Sequence, residues 1–172
     1  MQREIYRGRI VNLRIERVRL PNGAEVELEL MHHPGAAAVV AADEEGRVVL
    51  IRQYRYAAGG YIWELPAGVL SPDEPPEVCA ARELREEAGL AATAIRKLGA
   101  IFTTPGFCDE RIHLFLARGL SDVGHTREGD EDIVELRRVP LADALTMIRE
   151  GEIQDAKTVA GLYLAASALA AG

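Results

Sequence analysis

The N-terminal part of the chain alternates apolar and polar residues. The alternation runs through LRIERVRL (13–20) and again through AEVELELM (24–31), and Pro21-Asn22-Gly23 lies between the two runs. A period of two is typical of half-buried strands, and Asn-Gly is a strong turn signal. Residues 1–35 therefore predict a small antiparallel β-sheet, which is too small to fold alone.

The middle of the chain contains denser apolar runs that are bounded by turn signals. Runs of this length and apolar density are typical of buried strands. We expect strands at 36–42, 47–54, 61–65, 98–104, 111–117 and 133–139.

The hydrophobic period changes to that of a helix at three places. One helix is predicted at about 75–88, with Asp73 or Glu74 as its N-cap, prolines in its first turn and Gly89 just beyond its end. PLADALTMIREG and DAKTVAGLYLAASALAA predict two more helices. The pattern indicates an α+β fold, in which helices pack on a mixed sheet and the N-terminal antiparallel sheet is added to it.

Composition narrows the class of function. The 172 residues suit one globular core, and the net charge of −7 argues against nucleic acid or an anionic membrane as a partner. The sequence has no signal peptide and no apolar run approaching about 18 residues. Its two cysteines lack metal-ligand spacing, which favours free thiols in a reducing compartment. We expect a soluble cytoplasmic protein.

The predicted helix at 75–88 contains an unusual cluster of glutamates. Glu83 and Glu87 are one turn apart, and Glu86 flanks them, beside the apolar stripe that must face the sheet. Like charges at this spacing destabilise a helix. One interpretation is an acidic surface patch neutralised by nearby Arg82, Arg85 and Lys97. The other is a site for a hard cation such as Mg²⁺, which would relieve the repulsion and attract a phosphorylated substrate.

The surrounding residues favour the second interpretation. Gly68, Glu74 and the run from Arg82 to Leu90 resemble the Nudix box, G-x5-E-x7-R-E-U-x-E-E-x-G-U with U aliphatic, at all nine constrained positions over 23 residues. The resemblance to Nudix hydrolases implies a Nudix fold, which is an α/β/α sandwich around a mixed sheet. It also implies hydrolysis of a nucleoside diphosphate linked to another group.

The same resemblance implies a role for each residue of the box. Glu83 and Glu87 would be the main metal ligands, and Glu86 a further ligand or base. The carbonyl group of Ala67 would supply a backbone ligand, and Arg82 would orient the glutamates through ion pairs. The implied cofactor is Mg²⁺ or Mn²⁺, which would polarise the pyrophosphate and activate a water molecule.

Short motifs outside the box resemble the ADP-ribose pyrophosphatase branch over about residues 4–165. They include QYR (53–55), ELPAG (64–68), TPGFCDE (104–110), DEDI (130–133) and DAKT (155–158). This resemblance implicates Pro105, Gly106 and Phe107 in substrate binding. It places a glutamate near the attacking water, which by position is Glu131, although the neighbouring acids of the loop are alternatives. The expected products from ADP-ribose are AMP and ribose 5-phosphate.

Other substrate contacts are less specific. Arg52 or Arg55 could hold a phosphate, although surface or dimer salt bridges explain each equally well. The family often has Arg-Glu for base recognition where this chain has Leu28-Glu29. Glu29 is therefore a candidate contact, whereas Leu28 makes FAD, NADH or another dinucleotide an alternative substrate.

The branch resemblance also bears on assembly and on activity. It implies a homodimer, with residues 1–35 reaching across to the partner and residues 36–172 forming the catalytic domain. A less favoured alternative is a sensor that binds ADP-ribose without hydrolysing it.

Overall fold

The computed structural model describes residues 2–124 and 132–170. The N-terminal part forms a separate antiparallel sheet in the order β1-β2-β3. Its strands are β1 (Gln2–Arg7), β2 (Asn12–Arg19) and β3 (Glu25–His32). The predicted N-terminal sheet is therefore present, whereas the domain boundary at residue 35 stays a prediction.

Two further sheets form the centre of the molecule. A four-stranded sheet has the order β7-β4-β9-β8, and a three-stranded sheet has the order β10-β5-β6. Because β4 and β9 run parallel while the other neighbours run antiparallel, the four-stranded sheet is mixed, as predicted. The strands are β4 (Ala36–Ala41), β5 (Arg47–Arg55), β6 (Gly60–Glu64), β7 (Ala67–Val69), β8 (Leu90–Phe102), β9 (Arg111–Asp122) and β10 (Ile133–Pro140).

Helices cover both sides of these sheets. Helix α1 (Pro76–Ala88) packs on one side through an apolar cluster that includes Val39, Leu84 and Phe115. Helices α2 (Leu141–Arg149) and α3 (Ala156–Ala170) pack on the other side through a second cluster that includes Leu50 and Leu162. The arrangement confirms the predicted α/β/α sandwich. No helix in residues 2–124 or 132–170 is long and apolar enough to span a membrane.

The N-terminal sheet is attached to the loop between β8 and β9. The Met31 N–H donates to the Phe107 carbonyl oxygen at 2.7 Å, and the Asp109 N–H donates to the Met31 carbonyl oxygen at 3.1 Å. The His32 ring contacts Asp109 of the β8–β9 loop at 2.7 Å and Glu16 of β2 at 2.9 Å, and both partners are carboxylates. The hydrogen bonds to Asp109 and Glu16 raise the pKa of His32, which favours the charged ring at this junction.

Two local predictions were wrong. The N-cap of α1 is Pro75, not Asp73 or Glu74, and Asp73 has a positive φ of 61°. The Glu74 carboxylate instead forms an ion pair with Arg82 of the helix. Strand β8 begins at Leu90, eight residues before the predicted start. Residues 90–97 have a weak apolar pattern, but they form a strand because they pair with the second half of β9.

Candidate active site

Helix α1 presents its glutamates to a cleft beside β7. Leu84, Ala80 and Ala88 are buried against the sheet, which fixes the rotation of the helix about its axis. Glu83 and Glu87 lie on the neighbouring face and are 5% and 1% exposed. Carboxylates this deeply buried are rare unless they have partners, so their surroundings determine their chemistry.

Strand β7 approaches both glutamates closely. The Ala67 N–H donates to Glu87 Oε2 at 2.8 Å. At Gly68, a Cβ atom would lie 1.8 Å from Glu83 Oε1, so only glycine leaves room for that carboxylate. The glycine of the box is therefore explained by packing against Glu83 rather than by a turn.

Arg82 forms ion pairs with three carboxylates of the site. Its Nε donates to Glu74 Oε1 at 2.9 Å, and its Nη2 donates to Glu74 Oε2 at 3.0 Å. Its Nη1 contacts Glu83 Oε1 at 2.5 Å and Glu86 Oε2 at 2.9 Å. The ion pair with Arg82 lowers the pKa of Glu74 to about 2, and the same carboxylates raise the pKa of Arg82. One cation thus orients three glutamates.

These groups line a cleft of about 450 Å³. Its walls come from the β1–β2 loop, strand β5, strand β7 and helix α1. The lining residues are Arg9, Ile10, Gln53, Arg55, Ala67, Gly68, Val69, Ser71, Arg82, Glu83, Glu86 and Glu87. Charges of both signs therefore face one space, as recognition of a phosphorylated compound bound with a cation requires.

Arg55 reaches the cleft from the end of β5 and belongs to a buried ionic network. Its Nη2 lies 2.7 Å from Glu64 Oε2, and its Nε also donates to this carboxylate. Burial alone would lower the pKa of Arg55, but the surrounding carboxylates, chiefly Glu64, together outweigh that effect and the pKa is raised. Glu64 also contacts Lys157 Nζ at 3.3 Å, and Lys157 contacts Asp155 at 3.0 Å. The network thereby connects the cleft to helix α3.

Several predicted substrate contacts lie elsewhere in the single chain. Arg52 is on the opposite face of β5, with its guanidinium 5.8 Å from the centre of the Trp63 ring. Glu29 is exposed on β3. The Pro105-Gly106-Phe107 turn lies beside the N-terminal sheet, and none of these residues lines the cleft. Glu131 lies outside the described residues.

Sequence reasoning missed three contributors to the site. Arg9 and Ile10 line the cleft, but nothing in RGRI distinguishes them from the arginine-rich strands around them. In the sequence, Lys157 stands out only as part of the DAKT motif. Its role depends on contact with Glu64, which lies 93 residues earlier in the chain, and one sequence gives no signal for that contact.

The donor set fits a divalent cation that is shared with a substrate. Within residues 2–124 and 132–170, no three His, Cys, Asp or Glu side chains are arranged as a preformed metal site. Mg²⁺ does not require one, because it typically binds through one or two carboxylates and completes its shell with water and phosphate oxygens. Glu83 and Glu87 supply two buried carboxylates at a polar cleft, and Glu86 lies beside them.

Comparisons with known proteins agree with this geometry. A sequence model of the NUDIX domain matches residues 31–162. The chain is 44% identical to the ADP-ribose pyrophosphatase of Bacillus subtilis (strain 168), over 90% of this chain and 84% of that protein. It is 41% identical to the ADP-ribose pyrophosphatase of Mycobacterium tuberculosis (strain ATCC 25618 / H37Rv), over 98% and 82%.

Two further matches widen the comparison. The methanol dehydrogenase activator of Bacillus methanolicus is 43% identical over 91% of this chain and 85% of that protein. The crystal structure of an ADP compounds hydrolase shares the fold, with a TM-score of 0.85, 22% identity and coverage of 99% of this chain and 92% of that chain. Since the NUDIX match covers well over half of the chain, this protein belongs to the Nudix family.

Proposed function

We propose that this protein hydrolyses the pyrophosphate bond of ADP-ribose or a related ADP-sugar, giving AMP and a sugar phosphate. The observation that carries the proposal is the pair of buried carboxylates, Glu83 and Glu87, at a cleft that Arg9 and Arg55 also line. The two similar ADP-ribose pyrophosphatases support the choice of substrate.

Each residue of the site has a proposed task. Glu83, Glu87 and the carbonyl of Ala67 would hold Mg²⁺, or Mn²⁺ in its place, with Glu86 as a further ligand or base. A bound divalent cation would polarise the pyrophosphate and lower the pKa of a water molecule. Arg82 fixes the carboxylates in position. Proton transfer from the attacking water is assigned to Glu86 or to Glu131.

The arginines at the cleft would bind the substrate. The guanidinium of Arg55 is held in one orientation by Glu64, so its remaining N–H groups can bind phosphate with little loss of conformational entropy. Arg9, from the β1–β2 loop, adds a second positive charge to the cleft lining. Arg52 remains a weaker proposal because its guanidinium lies over Trp63.

We further propose a homodimer, which is supported by the exposed apolar side chains of β1. Ile5 is 47% exposed and Tyr6 is 58% exposed. A partner chain that covers this sheet would bring Glu29 and the turn from Pro105 through Gly106 to Phe107 towards a neighbouring cleft. Sedimentation equilibrium tests the dimer. A cytoplasmic location is also proposed, because both cysteines are free thiols, as a reducing compartment would keep them.

A substrate panel tests the activity. The protein would be incubated with Mg²⁺ and ADP-ribose, ADP-sugars, FAD, NADH, CDP-alcohols or dNTPs, and the released AMP, other monophosphates and pyrophosphate would be measured. We expect AMP from ADP-ribose. Preference for FAD or NADH would support the alternative dinucleotide substrate, whereas pyrophosphate from dNTPs alone would overturn the assignment. Tight ADP-ribose binding without turnover of any compound would indicate a sensor.

Matched glutamate variants test the mechanism. Glu83→Gln and Glu87→Gln should each lower kcat by more than about 100-fold and weaken the dependence of the rate on Mg²⁺, since even outer-shell changes at metal sites cost about 10–100-fold. Glu77→Gln is the control, because Glu77 is exposed in the first turn of the same helix and outside the cleft. Wild-type rates in both test variants would refute the metal site. A normal kcat in Glu131→Gln would assign its role to another acid.

A further inference from the structure

Gln53 is a buried polar residue in the cleft whose role is not explained by the proposed chemistry. It lies on β5, is 4% exposed, and lines the same cleft as the glutamates and Arg55. Its side-chain oxygen, Oε1, is buried and has no hydrogen-bond partner among the described residues. Nearly all buried polar atoms in folded proteins are paired, so this atom requires an explanation.

The neighbouring strands do not explain the amide. In the register of the sheet, Gln53 lies between Ile62 on β6 and Ile133 on β10. A leucine or methionine between these two residues would avoid burying an unpaired acceptor. Arg55, which is two residues along the same strand, directs its Nε and Nη2 to Glu64 and not to Gln53. Within residues 2–124 and 132–170, this acceptor thus has no partner, although it belongs to a residue that lines a polar cleft.

The chemistry of the cleft limits what could pair with this oxygen. Ionised carboxylates and phosphates only accept hydrogen bonds, so the glutamates and the pyrophosphate of a substrate cannot donate to it. The donors that a substrate complex brings into such a cleft are the O–H groups of water and of the sugars, and the amino group of the adenine base.

We propose that Gln53 is a substrate-site residue whose amide turns when the cleft is loaded, so that Oε1, which is covered in the free protein, accepts a hydrogen bond from an O–H group. The identity of the substrate in this inference rests on the proposed function. The observation that the amide oxygen is unpaired in the free protein does not. In the free protein the amide lowers stability, and in the complex it orients the bound water or sugar.

Gln53→Met separates these two effects, because methionine has a similar volume and lacks the carbonyl oxygen. We expect the Tm of the free protein to rise by about 2–4 °C, as a modest gain in stability gives for a domain of this size. We expect kcat/KM for ADP-ribose to fall by about tenfold, as loss of a single hydrogen bond predicts. Gln53→Leu repeats the test if the methionine variant folds poorly.

Gln154→Met is the matched control. The Gln154 amide already donates to the Gly151 carbonyl oxygen at 2.9 Å in the free protein, so the same substitution should not raise Tm there. A lower Tm in Gln53→Met would overturn the proposal, because it would show that the amide is already bonded in the free protein. A raised Tm with unchanged kcat/KM would also overturn it. If the wild type has no activity, the Tm comparison still tests the unpaired amide.

Product binding distinguishes the two sources of the O–H group. Calorimetry would measure the affinity of wild type and Gln53→Met for ribose 5-phosphate and for AMP. Weaker binding of ribose 5-phosphate, which has no N–H group, indicates a sugar hydroxyl as the donor. Weaker binding of AMP alone has the same meaning only if inosine monophosphate, which lacks the amino group, is weakened equally, and otherwise it overturns the O–H assignment. Unchanged affinity for both, with lower kcat, indicates the attacking water. Assignment to a sugar hydroxyl or to the attacking water supports the proposed hydrogen bond.

Discussion

Gly68→Ala is the most direct test of how the fold positions Glu83, a proposed metal ligand. The added Cβ would lie 1.8 Å from Glu83 Oε1, and ordinary van der Waals contact begins near 3.4 Å. The carboxylate must therefore move by roughly 1.6 Å. That movement would break its contact with Arg82. The φ of Gly68 is outside the left-handed region, so the backbone itself accepts alanine and the effect comes from Glu83.

The magnitude follows from the size of the displacement. Overpacking of a well-packed site destabilises a protein by about 1–3 kcal/mol. A catalytic group misplaced by about 1 Å can lower the rate by about 100-fold. We therefore expect a loss of about 1–3 kcal/mol in the free energy of unfolding, a fall in kcat of about 100-fold, and a higher Mg²⁺ concentration at half-maximal rate.

Urea unfolding and initial-rate assays over a range of Mg²⁺ concentrations would measure these effects. Gly60→Ala is the control, because its Cβ would meet nothing within 4 Å and its φ is also outside the left-handed region. It should retain the wild-type rate. The stability loss from Gly68→Ala should largely vanish in a Glu83→Ala background, where the clashing carboxylate is absent. An unchanged loss in that background, or a wild-type rate in Gly68→Ala, would refute the explanation.

The remaining predictions concern charge. Glu64→Gln leaves Lys157 and Arg55 without their shared buried anion. We expect the free energy of unfolding to fall by an amount near the lower end of about 3–5 kcal/mol, because Arg55 keeps access to water. A fall below about 1 kcal/mol in urea unfolding would contradict this. The pKa of Glu74 is lowered from 4.5 to about 2 by the arginine it contacts. Its stabilising effect is therefore present above pH 4.5 and lost as pH falls towards 2. The stability difference between wild type and Glu74→Gln should shrink across that window, and a constant difference would show that the ion pair is not the cause. Saturating Mg²⁺, at 100 times its Kd, should stabilise the wild type by about 2.7 kcal/mol in thermal unfolding, and an unchanged Tm would argue against cation binding to the free enzyme.

The sequence predicted the elements of the site that depend on local signals. Helix α1 runs from Pro76 to Ala88, close to the predicted 75–88. The prediction succeeded because the prolines at its start and Gly89 just after its end are local signals. The apolar stripe through Leu84 then fixes which face is buried, and the placement of Glu83 and Glu87 beside that face follows from helix geometry.

Contacts between distant segments could not be predicted in the same way. Arg9 reaches the cleft only because the β1–β2 loop lies beside β7 and α1. Arg52 and Arg55 looked equivalent as strand arginines, but they are separated by an odd number of positions and therefore project from opposite faces of β5. Their roles depend on which face the cleft occupies, and only the packed structure determines that.

The charge arrangement explains why the glutamate cluster is compatible with a folded helix. Arg82 contacts Glu74, Glu83 and Glu86, so one guanidinium is shared by three carboxylates. Glu87 is a fourth carboxylate near this group. The network around Arg55 is different, because two cations and two anions alternate and the total charge is zero. The two groups meet at one cleft, which Arg55 lines, and in the helix α1 group three carboxylates contact one arginine. A divalent cation would reduce the repulsion between the buried carboxylates, and Arg55 would stay available for phosphate.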